Sequence, residues 1–66
     1  MRQTKPIRRT ELIKARINKH LNQNELAKLI GISQPGLSQI EKGVRNPTLE
    51  QIKLLVELLD INVSIL

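Results

Sequence analysis

The sequence predicts an all-α domain of four to five short helices with one short β-strand at its C-terminal end. In several segments apolar residues recur three or four positions apart, which is the spacing of one helix face. Ser, Thr or Asn stands before each of these segments, where its side chain caps a helix N-terminus. After Asp60 the apolar period changes to two, which indicates a strand. We therefore divide the chain into a basic arm (residues 1–9), a helical domain (10–60) and a tail (61–66).

The composition limits the core. The chain has no cysteine and no Phe, Tyr or Trp, so the core must consist of Leu, Ile, Val and Ala, without disulfides. So short a chain buries only about 60% of its extended surface, and a second copy is the expected source of further burial. We expect neither a signal peptide nor a membrane span, because the longest apolar run, residues 54–56, ends at Glu57.

The net charge of +5 is concentrated at the start of the chain. Residues 1–20 hold seven Lys or Arg against one Glu, whereas residues 46–66 hold one Lys against three acidic residues. This excess of positive charge favours a polyanionic partner. The arm is expected to follow DNA phosphates or enter a minor groove, or else to be disordered. Its charged residues are Arg2, Lys5, Arg8 and Arg9.

The first helix is predicted at residues 11–20. Thr10 is the expected N-cap, beside a favourable acidic residue in the first turn. Ile13, Ile17 and Leu21 lie four apart and form the expected core stripe, with Leu12 beside it.

The second and third helices are predicted at residues 23–30 and 34–42, joined by a tight turn. Asn22 and Ser33 are the expected N-caps, and Gly31 and Gly43 end the two helices, because glycine adopts the left-handed conformation without strain. The outward side of the third helix carries no charge apart from one lysine and offers amide and hydroxyl groups, which suit the base edges of a DNA major groove. The positions expected to point outward are Gln34, Pro35, Gly36, Ser38, Gln39 and Lys42.

These helices resemble the helix-turn-helix of the Cro/C1 repressor family, also called the Xre family, whose fold is that of the lambda repressor. The resemblance covers roughly residues 11 to 60, and the segment 44–49 continues the pattern. It rests on Gln23, Leu26, Ala27, Gly31, Ile32, Ser33, Gln34, Leu37, Ile40, Glu41 and Gly43.

The resemblance implies roles for individual residues. Gln34, Ser38 and Gln39 are expected to contact bases, and Arg16 and Glu41 match an ion pair common in the family. Phosphate contacts are expected from Asn22, Gln23, Lys42, Arg45 and Asn46.

Two residues of the third helix depart from the family pattern. Pro35 suits the first turn, where its missing N–H has no helical partner. Gly36 costs about 1 kcal/mol of helix propensity relative to alanine. It either removes a base-reading side chain or lets the backbone approach DNA closely.

The fourth helix follows Thr48, which forms a capping box with Gln51. Leu54 and Leu58 extend its apolar face beyond what one monomer requires, which suggests a partner surface. Its core positions are expected to be Leu49, Ile52, Leu55, Val56 and Leu59.

The tail alternates apolar and polar residues and is predicted to be a strand. No other segment reads as a strand, so we expect antiparallel pairing with the same segment of a second copy. The family usually has a fifth helix here, and the tail resembles instead that of its HipB-type antitoxins. The expected dimer interface is Leu58, Ile61, Val63 and Ile65.

The expected function is that of a sequence-specific repressor that binds a palindromic operator in double-stranded DNA as a homodimer. The residues offer no catalytic, metal-binding or cofactor-binding constellation, so we expect no enzyme activity, cofactor or metal. One alternative is an antitoxin that restrains a toxin protein and autoregulates its operon; another is a phage-type repressor without a protein partner. We expect a cytoplasmic protein, associated with the nucleoid when bound to DNA.

Overall fold

In residues 9–66, which the computed structural model describes, the chain forms four α-helices around one core. They are α1 (Thr10–Asn18), α2 (Gln23–Leu29), α3 (Gln34–Lys42) and α4 (Leu49–Leu59), followed by a 3₁₀ turn at Val63–Ile65. The predicted all-helical fold is therefore confirmed.

Three of the four helices begin at the caps predicted from the sequence. The Asn22 Oδ1 atom accepts the Glu25 N–H at 2.7 Å, and the Glu25 carboxylate accepts the Asn22 N–H at 2.9 Å. Ser33 accepts the N–H three residues on at 3.2 Å, and Thr48 forms its capping box with Gln51. Each such cap stabilises a helix by about 1 kcal/mol, so local sequence delimits these short helices.

The core is aliphatic, as the composition requires. α2 and α3 pack directly against each other, and the small side chain of Ala27 is 1% exposed. Gly31 and Gly43 end their helices with φ of 76° and 83°, the left-handed conformation expected of them. The buried apolar residues are Leu12, Leu26, Ala27, Ile30, Leu37, Ile40, Leu55 and Leu59.

The buried face of α1 differs from the predicted stripe. Leu12 is completely buried, whereas Ile13 is only partly buried and Ile17 is 57% exposed. The reason is Arg16, which lies four residues after Leu12 on the same helix face and pairs with a buried carboxylate of α3. The helix therefore turns this face inward, and the isoleucine stripe lies to one side.

The ends of α1 also differ from the prediction. Thr10 is the first helical residue rather than the N-cap, and Arg9 precedes it without a side-chain cap. The Arg9 N–H donates to the Glu41 carbonyl at 2.8 Å, so α3 rather than a threonine hydroxyl fixes the entry to α1. At the other end the helix stops at Asn18, and His20 turns the chain with a φ of 60°.

α4 buries only part of its predicted apolar face. Leu55 and Leu59 are buried, whereas Leu49, at the first position of the helix, is 73% exposed. Leu54 and Leu58 are half-buried and pack against the core, so part of the leucine excess serves the monomer. No helix among residues 9–66 combines the length and apolar character that crossing a bilayer requires.

The tail does not form the predicted strand, and the single 3₁₀ turn at Val63–Ile65 takes its place. Asp60 ends α4 in the left-handed conformation, with a φ of 57°, and redirects the chain. The Asn62 Oδ1 atom then accepts the Ser64 N–H at 3.1 Å. These local bonds hold the tail in a turn, so it needs no pairing with a second strand. Two residues around the turn pack against the core: Ile61 and Leu66.

Candidate nucleic-acid interface

α3 turns its uncharged polar side chains outward. Pro35 and Gln39 are exposed, and at about 100° per residue they lie in the middle of the outward face. Gln34 and Ser38 are half-buried on one flank of this face, and Gly36 lies on the opposite flank. The three residues expected to contact bases therefore occupy the outward face and one flank of the same helix.

Arg16 and Glu41 form an ion pair that joins α1 to the end of α3. The Arg16 Nε atom donates to Glu41 Oε2 at 2.7 Å, and the Nη2 atom lies 3.5 Å from Oε1. The two side chains are only 13% and 3% exposed. Arg16 also donates to the Leu21 carbonyl at 2.8 Å, so the same guanidinium holds the turn between α1 and α2.

A chain of hydrogen bonds runs from Glu41 to the flank of α3. The Gln23 Nε2 atom donates to Glu41 Oε1 at 2.7 Å, and the Gln34 Nε2 atom donates to Gln23 Oε1 at 2.6 Å. A carboxylate paired with arginine only accepts hydrogen bonds, so Gln23 must turn its amino group to Glu41 and its oxygen to Gln34. Gln34 is thereby held in one orientation, with its own oxygen and its second amide hydrogen left for another partner.

This fold has counterparts among known proteins. The helix-turn-helix family model matches residues 12–66. The chain belongs to the Cro/C1-type helix-turn-helix family. Such domains are DNA-binding transcriptional regulators, which is the general function of this chain.

Two solved structures are similar to this helix-turn-helix chain over most of its length. The restriction-modification controller protein C.AhdI from Aeromonas hydrophila has a TM-score of 0.73 and 33% identity, and the match covers 86% of each chain. The N-terminal DNA binding domain of SinR from Bacillus subtilis has a TM-score of 0.71 and 26% identity, and the match covers 85% of this chain and 83% of that one. No curated protein matches the chain.

The residues expected at phosphates lie at two places on the helix-turn-helix. Asn22 and Gln23 stand at the start of α2, whereas Lys42, Arg45 and Asn46 lie at the end of α3 and in the following loop. The Asn22 and Gln23 oxygens are already occupied, by the α2 cap and by Gln34. The amide hydrogens that remain on both side chains are donors, which is what a phosphate oxygen requires.

Arg9 ties together three segments near this surface. Its guanidinium donates to the Ile40 carbonyl at 2.7 Å, the Arg45 carbonyl at 3.1 Å and Asn46 Oδ1 at 2.9 Å, and its Nε donates to the Leu66 carbonyl at 3.1 Å. Arg9 therefore belongs to the folded domain rather than to the predicted arm. The other residues of that arm lie outside the described part of the chain.

No local sequence signal identifies this role of Arg9. Arg9 is the last residue of a basic segment, and such a segment is typical of charge exposed to solvent. The hydrogen-bond partners of its side chain are 31 to 57 positions away in the sequence. Only the assembled fold brings the end of α3, the loop after it and the tail within reach of one guanidinium.

The residues expected at a dimer interface lie at the end of α4 and in the tail. Leu58, Ile61 and Ile65 are half-buried, and Leu58 and Ile61 pack against the core of their own chain. Val63 is 55% exposed. Of these four apolar residues, Val63 is therefore largely exposed to solvent and the other three are partly exposed.

Proposed function

We propose that this chain is a repressor that binds a two-fold symmetric operator in double-stranded DNA as a dimer. Gln34, Ser38 and Gln39 read bases from α3. Contacts to phosphates fix the register of the domain on the duplex without reading sequence. The residues proposed for phosphate contact are Asn22, Gln23, Lys42 and Asn46.

The observation that carries the proposal is the chain of hydrogen bonds from Glu41 through Gln23 to Gln34. A glutamine that served only solubility would gain nothing from being held by a buried carboxylate. A glutamine held in one orientation, with one acceptor and one donor free, is preorganised for the N6 and N7 atoms of adenine. The entropic cost of ordering the Gln34 side chain is then met in the free protein and does not reduce the affinity for DNA.

The test is the Gln34→Ala variant, assayed for affinity on the preferred duplex and on random DNA. Loss of one bidentate contact costs about 1–3 kcal/mol on the preferred duplex and leaves binding to random DNA unchanged. Asn24→Ala removes an exposed amide from α2 and is the matched control, for which we expect no change on either duplex. Equal losses on both duplexes for Gln34→Ala would refute the base-reading role.

The dimer is proposed to form through the apolar surface at the end of α4 and the tail. Its residues are Leu58, Ile61, Val63 and Ile65, and it requires no strand pairing. A two-fold axis through this surface makes the same patch serve both copies. It would set the two α3 helices about 34–36 Å apart, the spacing of half-sites one helical turn apart.

The alternative, an antitoxin that restrains a toxin, has less support. The resemblance to HipB-type antitoxins lies in a tail that pairs as a strand, whereas Val63–Ile65 form a 3₁₀ turn here. A toxin-like reading frame beside this gene would favour the antitoxin, whereas its absence favours a repressor that acts without a protein partner.

A further inference from the structure

A guanidinium from outside α3 lies against the first turn of that helix. An ideal Cβ atom built on Gly36 would lie 2.8 Å from Arg45 Nη1 and 3.8 Å from Arg45 Cζ. The guanidinium thus occupies the space that a side chain at position 36 would fill. Gly36 is accordingly buried, although it lies on the flank of an outward-facing surface. The absent side chain is what gives Arg45 access to this helix.

The loop that carries Arg45 is held near α3 by one backbone hydrogen bond and by the Arg9 side chain. The Val44 N–H donates to the Gln39 carbonyl at 3.1 Å, one residue before Arg45. Arg9 donates to the Arg45 carbonyl at 3.1 Å and to Asn46 Oδ1 at 2.9 Å. The main chain is therefore held at the Val44 N–H and at the Arg45 carbonyl, and the Arg45 side chain reaches back along α3 to the first turn.

The Arg45 guanidinium has its hydrogen-bond donors available. Among residues 9–66 no hydrogen bond or ion pair engages this group, and the side chain as a whole is exposed. An arginine fork matches the O6 and N7 acceptors of guanine in the major groove, and the first turn of a recognition helix is the part that meets base edges. We infer that Arg45 reads a guanine from its position above Gly36, an inference that rests on the DNA-binding function proposed above.

This role differs from a phosphate contact in what it does to sequence preference. A phosphate contact raises affinity for every duplex alike, whereas a base contact discriminates at one base pair of each half-site. The two roles also differ in how they depend on the small size of Gly36. An Arg45 guanidinium that reads a base needs the space above Gly36, whereas one that binds a phosphate can move out of that space without losing its contact.

The experiment starts with the wild-type chain and a pool of random duplexes at one stated salt concentration. The preferred duplex and all its single-base variants are then used to measure affinities for wild type, Arg45→Ala and Lys42→Ala. We expect Arg45→Ala to lose discrimination of about 5- to 150-fold at a single G·C pair per half-site. Lys42→Ala removes the same charge from the exposed end of α3 and should weaken all duplexes by one common factor.

A second variant, Gly36→Ala, keeps the charge and fills the space. Its backbone is not in the left-handed region, but the added Cβ atom would lie 3.2 Å from Ser33 Oγ, the N-cap of α3, so a circular dichroism melt verifies that the variant is folded. We expect Gly36→Ala to lose discrimination at the same G·C pair as Arg45→Ala while binding random DNA as wild type does.

Three results would overturn the inference. The first is a uniform loss for Arg45→Ala across all duplexes, which would make Arg45 a phosphate contact while the proposed function stands. The second is full discrimination at that base pair by Gly36→Ala. The third is a wild-type chain that prefers no duplex, which would remove the proposed function and this inference together.

Discussion

Replacing Glu41 with alanine is expected to remove most of the stability of this domain. The Glu41 side chain is 3% exposed and accepts hydrogen bonds from Arg16 and Gln23, each at 2.7 Å. Its removal leaves the Arg16 guanidinium, itself 13% exposed, without its counter-charge. Stranding one charge of a buried pair costs about 3–5 kcal/mol. A domain of this size has a total of roughly 3–10 kcal/mol, from about 0.05–0.15 kcal/mol per residue.

The assay is thermal unfolding followed by circular dichroism. At about 4–8 °C per kcal/mol for a domain of this size, Glu41→Ala should lower the Tm by at least 12 °C, or prevent folding altogether. Glu25→Ala is the matched control, because Glu25 is exposed and contributes only the α2 capping box. Its expected cost is about 1 kcal/mol.

A double variant tests whether the loss comes from the stranded charge. Replacing both partners, as Arg16→Met with Glu41→Leu, leaves no buried charge and should recover most of the Tm. The reasoning is refuted if Glu41→Ala and Glu25→Ala melt at the same temperature, or if the double variant is no more stable than Glu41→Ala.

Three further predictions follow from other contacts. Arg9→Ala removes hydrogen bonds to the end of α3, to the loop after it and to the tail, and should lower the free energy of unfolding by about 1–3 kcal/mol in a denaturant melt. Lys14→Ala, on the exposed side of α1, is the control and should leave the free energy of unfolding unchanged. Val63→Lys should shift the chain toward monomer in sedimentation, and Ile17→Lys, at a residue 57% exposed against 55% for Val63, should leave the dimer intact; the reverse pattern would place the interface elsewhere. If each dimer neutralises about six phosphates, the logarithm of the binding constant should fall with the logarithm of salt concentration at a slope of about −5, and a slope near zero would contradict a phosphate-based interface.

The elements that the sequence predicts well are those set by local chemistry. Asn22, Ser33 and Thr48 cap their helices independently of the tertiary fold, because each side chain accepts a hydrogen bond from the N–H only three residues later. Gly31 and Gly43 end helices for an equally local reason, the left-handed backbone. The helical period of α3 correctly places Gln39 on the outward face. Gly36 is also predicted to point outward but is buried, because the distant Arg45 guanidinium lies against it.

The predictions that failed depended on contacts between distant residues. Two neighbouring faces of α1 both have helical spacing, and only the pairing of Arg16 with Glu41 chooses the face that contains Leu12 over the one that contains Ile17. The tail alternates like a strand, yet Ile61 and Leu66 pack against the core, and the Arg9 Nε atom donates to the Leu66 carbonyl from 57 positions away. Helical spacing within α1 and alternation within the tail do not report these contacts, because the partners lie in other elements.

The central claim, that the α3 surface reads a DNA sequence, is tested most directly by selection of bound duplexes from a random pool at a stated salt concentration. The experiment uses wild-type chain and Gln34→Ala in parallel. We predict that wild type enriches one motif with two-fold symmetric half-sites, and that Gln34→Ala enriches the same motif with one position per half-site relaxed. Recovery of no preferred sequence by the wild-type chain, or of an unchanged motif by Gln34→Ala, would contradict it.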